Sequence, residues 1–288
     1  MISIAMTTYN GEKYLAEQLD SILAQTVKDF ELVICDDCST DGTRAVLESY
    51  AERDNRIKFF SNEENLGFVK NFEKAISLTK GEYIALCDQD DIWLTNHLEV
   101  LQSNIGDCDL CGADAVLVDE NNKELGSSMF ESIGADFLPQ TQDEYLKRLS
   151  FENIFQGAAC LFKRDVIQKA LPVPQEVKFH DWWFAIVALS GNGVKYVKEP
   201  VLRYRQHGKN VTGTEPYSLL KKSMKILSSI KASKVRIKNY RISILVLLNE
   251  FSKIVNQNET LCSAKSFYEN ILFGKRLKAC AWFIKNKK

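Results

Sequence analysis

The sequence predicts an α/β fold, an open and mostly parallel sheet with helices on its faces, followed by a basic helical tail. Three observations lead there. Over the first 90 residues, four short apolar runs are separated by three segments of helical period. The second of these runs, residues 30–35, has the near-continuous apolar character expected of a parallel strand covered on both faces. After residue 214 the alternation stops and Lys-rich segments take over. Strand and helix repeating in this way favour right-handed crossovers and a parallel sheet.

Taken in order, residues 2–6 read as a strand, and after a turn over 7–11 the apolar residues Leu15, Leu19, Ile22 and Leu23 fall on one face of a helix. Residues 30–35 form the second strand. A polar turn from Asp36 to Gly42 follows, with Leu47, Tyr50 and Ala51 marking the next helix. Residues 56–60 give a third strand. A helix opened by Asn65, Leu66 and Gly67 then places Phe68, Phe72, Ala75 and Ile76 on its buried face, and Gly81 ends it before the fourth strand at 83–87. Further on, 108–118 and 156–162 read as strands whose direction the pattern leaves open. His180 begins a helix with Trp182, Ala185, Ile186 and Leu189 turned inward, and 194–197 and 201–205 read as a closing pair of strands around Pro200.

The 288 residues have room for one large domain and an appendage. Hydrophobic content of 45% and charged content of 26% are ordinary globular values, which excludes a disordered, collagen-like or disulfide-scaffold chain. A net charge of −1 conceals an uneven distribution: residues 215–288 carry 13 Lys and 3 Arg against 4 Glu, a net +12, leaving −13 for residues 1–214. Such a tail seeks an anionic partner. Its interleaved aromatic and aliphatic residues, as at Trp282, Phe283 and Ile284, point to an anionic membrane surface or a packing segment, and no nucleic-acid partner is expected. The N-terminus lacks the basic and apolar regions of a secretory signal, so a cytoplasmic protein, peripheral at the inner face of the plasma membrane, is the expectation. The eight cysteines are then reduced thiols. Two C-x-x-C pairs, Cys35/Cys38 and Cys108/Cys111, read better as small core hydrophobes than as a zinc site. The tail's longest strongly apolar run, 242–248, is short of the ~20 residues that span a bilayer.

The stretch after the fourth strand places Asp88, Asp90 and Asp91 within four residues. Carboxylates at a strand end are costly to bury unless paired or metal-bound. Mg2+ or Mn2+ would neutralise them and could hold a substrate's phosphates there; a plain acidic loop is the alternative. No G-x-G-x-x-G or G-x-x-x-x-G-K-[ST] occurs, so phosphate binding falls to carboxylates through a metal. Ligands of open sheets bind beyond the carboxyl ends of the strands, the edge shared by the turns at Thr7, Asp36 and Asp88.

Together these stretches resemble glycosyltransferase family 2, whose members have the GT-A fold. The resemblance rests on the N-terminal S-I-A-M-T-T-Y-N-G, on F-E-L-V-I-C-D-D-C-S-T-D-G-T from Phe30, on Asn65 to Gly67, on Gly81 to Tyr83, on D-Q-D-D-I-W from Asp88, and later on H-D-W-W from His180. It covers residues 1–210 and implies a catalytic domain over 1–214, with a nucleotide-binding half at 1–95 and an acceptor-binding half at 96–214. The extension at 215–288 lies outside it. Thr7, Tyr9 and Asp37 would hold the nucleotide base and ribose, with Asp36 supporting their loop. Asp88 would sit near the ribose, Asp90 would bind the cation on the diphosphate, and Asp91 would orient the cluster.

Asp181 would be the base that deprotonates the acceptor, giving inversion; a helix N-cap is its other reading. His180 stands where relatives carry an acid, and reads as a cap neighbour or acceptor contact. Trp182 and Trp183 read as core or as a sugar platform. His207 is either a metal or diphosphate contact or a surface histidine, while Arg203 and Arg205 either offset diphosphate charge or balance the acidic body. The Q-x-x-R-W of processive members is absent, which favours one sugar per encounter. The implied donor is a nucleotide sugar. The sequence looks most similar to enzymes using dTDP-L-rhamnose, with UDP-hexose or UDP-HexNAc as the alternative; the implied acceptor is a saccharide, free or lipid-linked. A phosphohydrolase and a non-catalytic sugar-nucleotide-binding protein are the readings from other classes.

Overall fold

A computed structural model describes residues 1–132, 138–149, 153–175, 177, 179–208 and 210. The expected helical tail, its membrane contact and the boundary at 214 lie outside the described residues. The chain begins with β1 (Ile2–Thr8), α1 (Glu12–Leu23), β2 (Phe30–Asp36), α2 (Thr43–Arg53), β3 (Ile57–Ser61), α3 (Phe68–Ser77) and β4 (Tyr83–Cys87). It continues through β5 (Ile92–Trp93), α4 (His97–Ile105), β6 (Leu110–Val118), β7 (Glu124–Ser128), α5 (Met129–Ser132) and α6 (Gln142–Leu149). A 3-10 turn (Gly157–Ala159) leads into β8 (Cys160–Lys163), α7 (Arg164–Ala170), α8 (His180–Ser190) and β9 (Val194–Arg205).

The nine strands among the described residues form one sheet in the order β3-β2-β1-β4-β8-β6-β9-β5, with β7 on β6. The first four strands are parallel neighbours, whereas β8 runs antiparallel between β4 and β6, and β9 runs parallel to β6. The sheet is thus parallel where the sequence alternates regularly and mixed beyond it. Strand periodicity divides the core. In β4, Ile84 and Leu86 face the layer that contains α3 and α8, while Ala85 and Cys87 face the layer with α1 and α4. Fully burying a side chain such as Ile4 contributes about 1.5–3 kcal/mol, so continuous apolar runs fix both faces at once. Cys35 and Cys111 belong to this core, and burial pushes their thiols up to about 11 and about 12.

Three expectations need correction. Residues 194–205 are one strand, not a pair: Val197 opposes Ala113 and Pro200 opposes Asp114, so the chain bulges at Lys198 and Glu199 and continues along β6. Pro200 has no N–H to give the ladder and is accommodated at the bulge. Residues 156–162 are strand only from Cys160, because the preceding 3-10 turn diverts Gly157 toward α8. Phe68 is 39% exposed, since as the first residue of α3 it overhangs the cleft at the sheet's carboxyl edge.

Candidate active site

Three loops leave the carboxyl ends of β1, β2 and β4 side by side, as the registers Thr8 with Asp36 and Met6 with Cys87 require. In the β2 loop, Asp36 is fully buried and accepts hydrogen bonds from Thr8 Oγ1 (2.8 Å), the Ser39 N–H (3.1 Å) and Ser39 Oγ (2.5 Å). Its neighbour Asp37 reaches the other way. It accepts from Asn62 Nδ2 (2.7 Å) and the Leu66 N–H (2.8 Å) on Oδ1, and from the Gly67 N–H (2.9 Å) on Oδ2. Those amides lie at the N-terminus of α3, where a carboxylate is favoured by the helix dipole. Gly67 has φ +77°, a conformation that side chains resist. Of roughly four lone-pair sites on a carboxylate, Asp37 leaves one on Oδ2 open.

Thr7 is nearly buried at the end of β1, and Tyr9 stands 51% exposed beyond it. Tyr9 is held by a residue that the sequence reading passed over, Gln89. Its Oε1 accepts the Tyr9 N–H (2.8 Å) and its Nε2 donates to the Tyr9 carbonyl (3.0 Å), an amide-to-peptide clasp between the loop after β1 and the acidic loop. A side chain at Gly11 would collide with Gln89, so the glycine makes room for the clasp. Asn62 and Asn71 were missed as well. Asn71 bonds Asn62 and the Cys35 carbonyl, and Lys74 donates to Asn62 Oδ1 (2.8 Å), bracing Asp37 from behind. Gln89 lay between the quoted acids; Asn62 sat in no periodic pattern.

The acidic loop divides its carboxylates. Asp91 is fully buried, accepts the Arg205 N–H on Oδ1 (3.1 Å), and has no partner for Oδ2 among the described residues. Burial, with Asp90 and Asp88 nearby, drives its carboxyl well above the usual range. Asp90 meets His207, Nε2 to Oδ2 at 2.8 Å, and the imidazole stacks on Tyr14. Asp88 turns toward α8, where burial, then Asp90 and Asp181, raise its carboxyl to about 7.

Asp181, in the first turn of α8, is raised to about 6 by burial, opposed by hydrogen bonds from the Trp182 and Gly157 N–H groups and the Asn153 side chain. Asp88 and Asp181 line one cavity of about 100 Å3 together with His180. Burial lowers the His180 imidazole to about 3, so it is neutral. Trp182 and Trp183 are core pillars, their indole N–H groups donating to the Leu149 and Ala170 carbonyls, so neither presents a ring as a sugar platform.

Both arginines are engaged by protein groups. Arg203 binds Asn122 and Glu124 on the β6–β7 hairpin. Arg205 is 2% exposed; it donates to the Asp90 and Glu120 carbonyls and pairs with Glu17 at 2.5 Å beneath the Tyr14 ring. A guanidinium with each of its three nitrogens bonded to the protein is a brace for the acidic loop.

The residues present fit a divalent cation. Octahedral Mg2+ takes oxygen ligands at about 2.0–2.1 Å, which sets neighbouring donors about 3 Å apart, close to the Asp90 and His207 separation. The unpartnered Asp91 Oδ2 adds negative charge behind them. Among the described residues no group of three or more His, Cys, Asp or Glu is spaced to hold a metal alone.

Residues 3–171 match the family described as Glycosyl transferase family 2. The chain belongs to that family. As a family 2 member it is a glycosyltransferase, and its relatives include the uncharacterized glycosyltransferase MJ1057 of Methanocaldococcus jannaschii, 30% identical over 216 residues that span 71% of this chain and 70% of the relative. A UDP-Glc:alpha-D-GlcNAc-diphosphoundecaprenol beta-1,3-glucosyltransferase, WfgD of Escherichia coli, is 38% identical over 100 residues, 35% of this chain and 39% of WfgD. Among solved structures, TarS 1-349 of S. aureus in complex with UDP covers 95% of this chain and 72% of its own at a TM-score of 0.66 and 20% identity. A mannosyltransferase of Pyrobaculum calidifontis, in complex with GDP-Man and Mn2+, covers 99% and 85% at a TM-score of 0.54 and 17% identity. These likenesses establish the GT-A fold. Among the described residues of this family 2 enzyme, no helix is long and apolar enough to cross a membrane.

Proposed function

We propose that this glycosyltransferase moves one sugar, with inversion, from a nucleotide-sugar donor to a saccharide acceptor, with Asp181 as base. The observation that carries the reading is that one cavity is lined by both Asp88, on the nucleotide-binding side, and Asp181, whose carboxyl is held near 6 and is ionised at neutral pH. A base of that strength can accept a proton from a hydroxyl as it attacks. The acceptor oxygen passes its proton to Asp181 and forms the bond to the sugar's C1, while the bond from C1 to the diphosphate oxygen breaks and the nucleoside diphosphate leaves with the electron pair.

Asp37 offers its open lone pair to the base, Tyr9 its exposed ring, and Thr7 and Asp36 hold the loop. A Mg2+ or Mn2+ ion at Asp90 and His207 would neutralise charge on the leaving diphosphate. His180 and Asp91 shape the site around these groups.

The family resemblance favours dTDP-L-rhamnose. A UDP-hexose is the second reading, supported by the UDP bound to TarS and the UDP-Glc donor named for WfgD. WfgD's diphosphoundecaprenol acceptor suggests a lipid-linked saccharide here, which residues 215–288, net +12, would help meet at an anionic inner membrane face. Full-length protein should therefore co-sediment with anionic vesicles and not with zwitterionic ones. The transfer reading is tested by incubating it with dTDP and UDP sugars and Mg2+ or Mn2+; release of nucleoside diphosphate supports it, and none from any donor with lipid-linked or free saccharides refutes it.

A further inference from the structure

Tyr14, the third residue of α1, is partly exposed and belongs to neither core layer, yet three groups gather on its ring. The His207 imidazole stacks on it with 5.1 Å between centroids and 28° between planes. The Arg205 guanidinium stands 4.6 Å from the ring centre and the Lys13 ammonium 4.7 Å. Two of these groups end at Asp90: His207 through Nε2, 2.8 Å from Oδ2, and Arg205 through Nε, 2.9 Å from the carbonyl. The platform is itself fixed. Tyr14 donates its N–H to the Gly11 carbonyl (3.1 Å), and the next residue, Leu15, is fully buried in the layer that holds Ile2, Ile4 and Leu32. The turn that carries His207 is tied by its neighbours: Asn210 Oδ1 accepts the His207 N–H (2.6 Å), and Asn210 Nδ2 donates to the Arg205 carbonyl (2.7 Å). Those bonds fix the main chain. The plane of the imidazole is a separate matter, because the terminal torsion of a histidine has broad minima.

Resting on the cation site proposed above, we infer that Tyr14 is a positioning residue for that site: its ring holds the plane of the His207 imidazole so that Nε2 and Asp90 Oδ2 point at one ion. A ring nitrogen offers its lone pair in the plane of the ring, so an imidazole that tilts turns the pair away from the cation. Groups that orient a ligating imidazole commonly work through its other nitrogen. Here a ring face from α1 does so, and a site on a packed helix is held more closely than one on a loop. A flat platform restrains tilt in both directions, which an aliphatic side chain of similar volume does not.

The test is pulsed electron paramagnetic resonance of full-length protein loaded with Mn2+ and UDP, and in a parallel series with Mn2+ and dTDP. The parent protein should show the nitrogen coupling of a directly bonded imidazole, and His207→Ala should lack it. Tyr14→Phe preserves the platform and should preserve the coupling. Tyr14→Leu and Tyr14→Met occupy the space without a planar face; each should lose the coupling and weaken Mn2+ binding by roughly tenfold. Their Tm should stay within a few degrees of the parent, since Tyr14 lies outside both core layers. Coupling retained in either folded aliphatic variant, whatever its affinity, or lost in Tyr14→Phe, overturns the inference and leaves the cation site standing. Absence of the coupling from the parent protein in both series overturns the cation site and the inference with it.

Discussion

His207 and Asp90 stand 117 positions apart in sequence and meet with 2.8 Å between Nε2 and Oδ2. The contact joins the loop after the last strand to the loop after the fourth, and stacks the imidazole on Tyr14 from the first helix. These two groups are the pair we propose as cation ligands. Asp90→Asn and His207→Ala should each weaken Mn2+-dependent donor binding by roughly 10- to 100-fold. Electron paramagnetic resonance of Mn2+ in the presence of nucleoside diphosphate measures this directly, and unchanged affinity in both variants would remove the pair as ligands.

Asp181 should impose a pH limb on transfer. Its raised carboxyl is neutral below about 6 and charged above, so kcat/KM should climb with pH and level off above about 6. Asp181→Asn should abolish transfer and keep donor affinity within a few-fold.

The same shift bears on stability with the opposite sense. A carboxyl at 3.8 in the unfolded chain and about 6 when folded binds more protons in the native state between those values, so its contribution is present below pH 4 and lost as pH rises through 6. Allowing for solvent access, the loss is on the order of 1–2 kcal/mol. Asp181→Asn should therefore raise Tm by several degrees at pH 8 and little at pH 4, as scanning calorimetry would show.

Gln89 should govern donor binding without touching the reacting atoms. Gln89→Ala deletes two hydrogen bonds of the clasp, about 1–3 kcal/mol together, and should raise donor KM roughly tenfold with a smaller change in kcat. Gly11→Ala should act through the same contact, so the double variant should be no worse than the more damaging single one.

Arg205→Met should cost about 2–4 kcal/mol, a fall in Tm of roughly 5–15 °C, because the guanidinium serves the Asp90 and Glu120 carbonyls and Glu17 at once. Arg205→Lys should recover little of this, since one ammonium cannot reach three acceptors in a plane. A Tm within a degree of the parent in either variant would contradict the bracing role.

The strands and helices of the first 87 residues were legible because one physical signal, apolar periodicity, determines both where a segment is buried and what it forms. Phe68 escaped that logic: its spacing puts it in line with Phe72, yet the first turn of a helix at the strand ends faces the cleft. Pro200 suggested a turn because proline breaks ladders, and only the pairing of Pro200 with Asp114 shows the strand continuing through a bulge. The acids were visible in sequence as a cluster, but their separate environments were not. Asp91 faces the Arg205 backbone, Asp90 faces His207, and Asp88 faces α8, each decided by chain more than ninety residues downstream.

The pairing of β5 with β9, and the hydrogen bond from the Arg205 N–H to Asp91, also set a timetable. The acidic loop leaves the ribosome 114 residues before the strand that fixes it. At about 5–20 residues per second that interval is roughly 5–25 s. Throughout it the carboxylate loop lacks the Arg205 contacts that brace it in the finished fold. Completion of the last strand is what supplies the acidic loop with its brace.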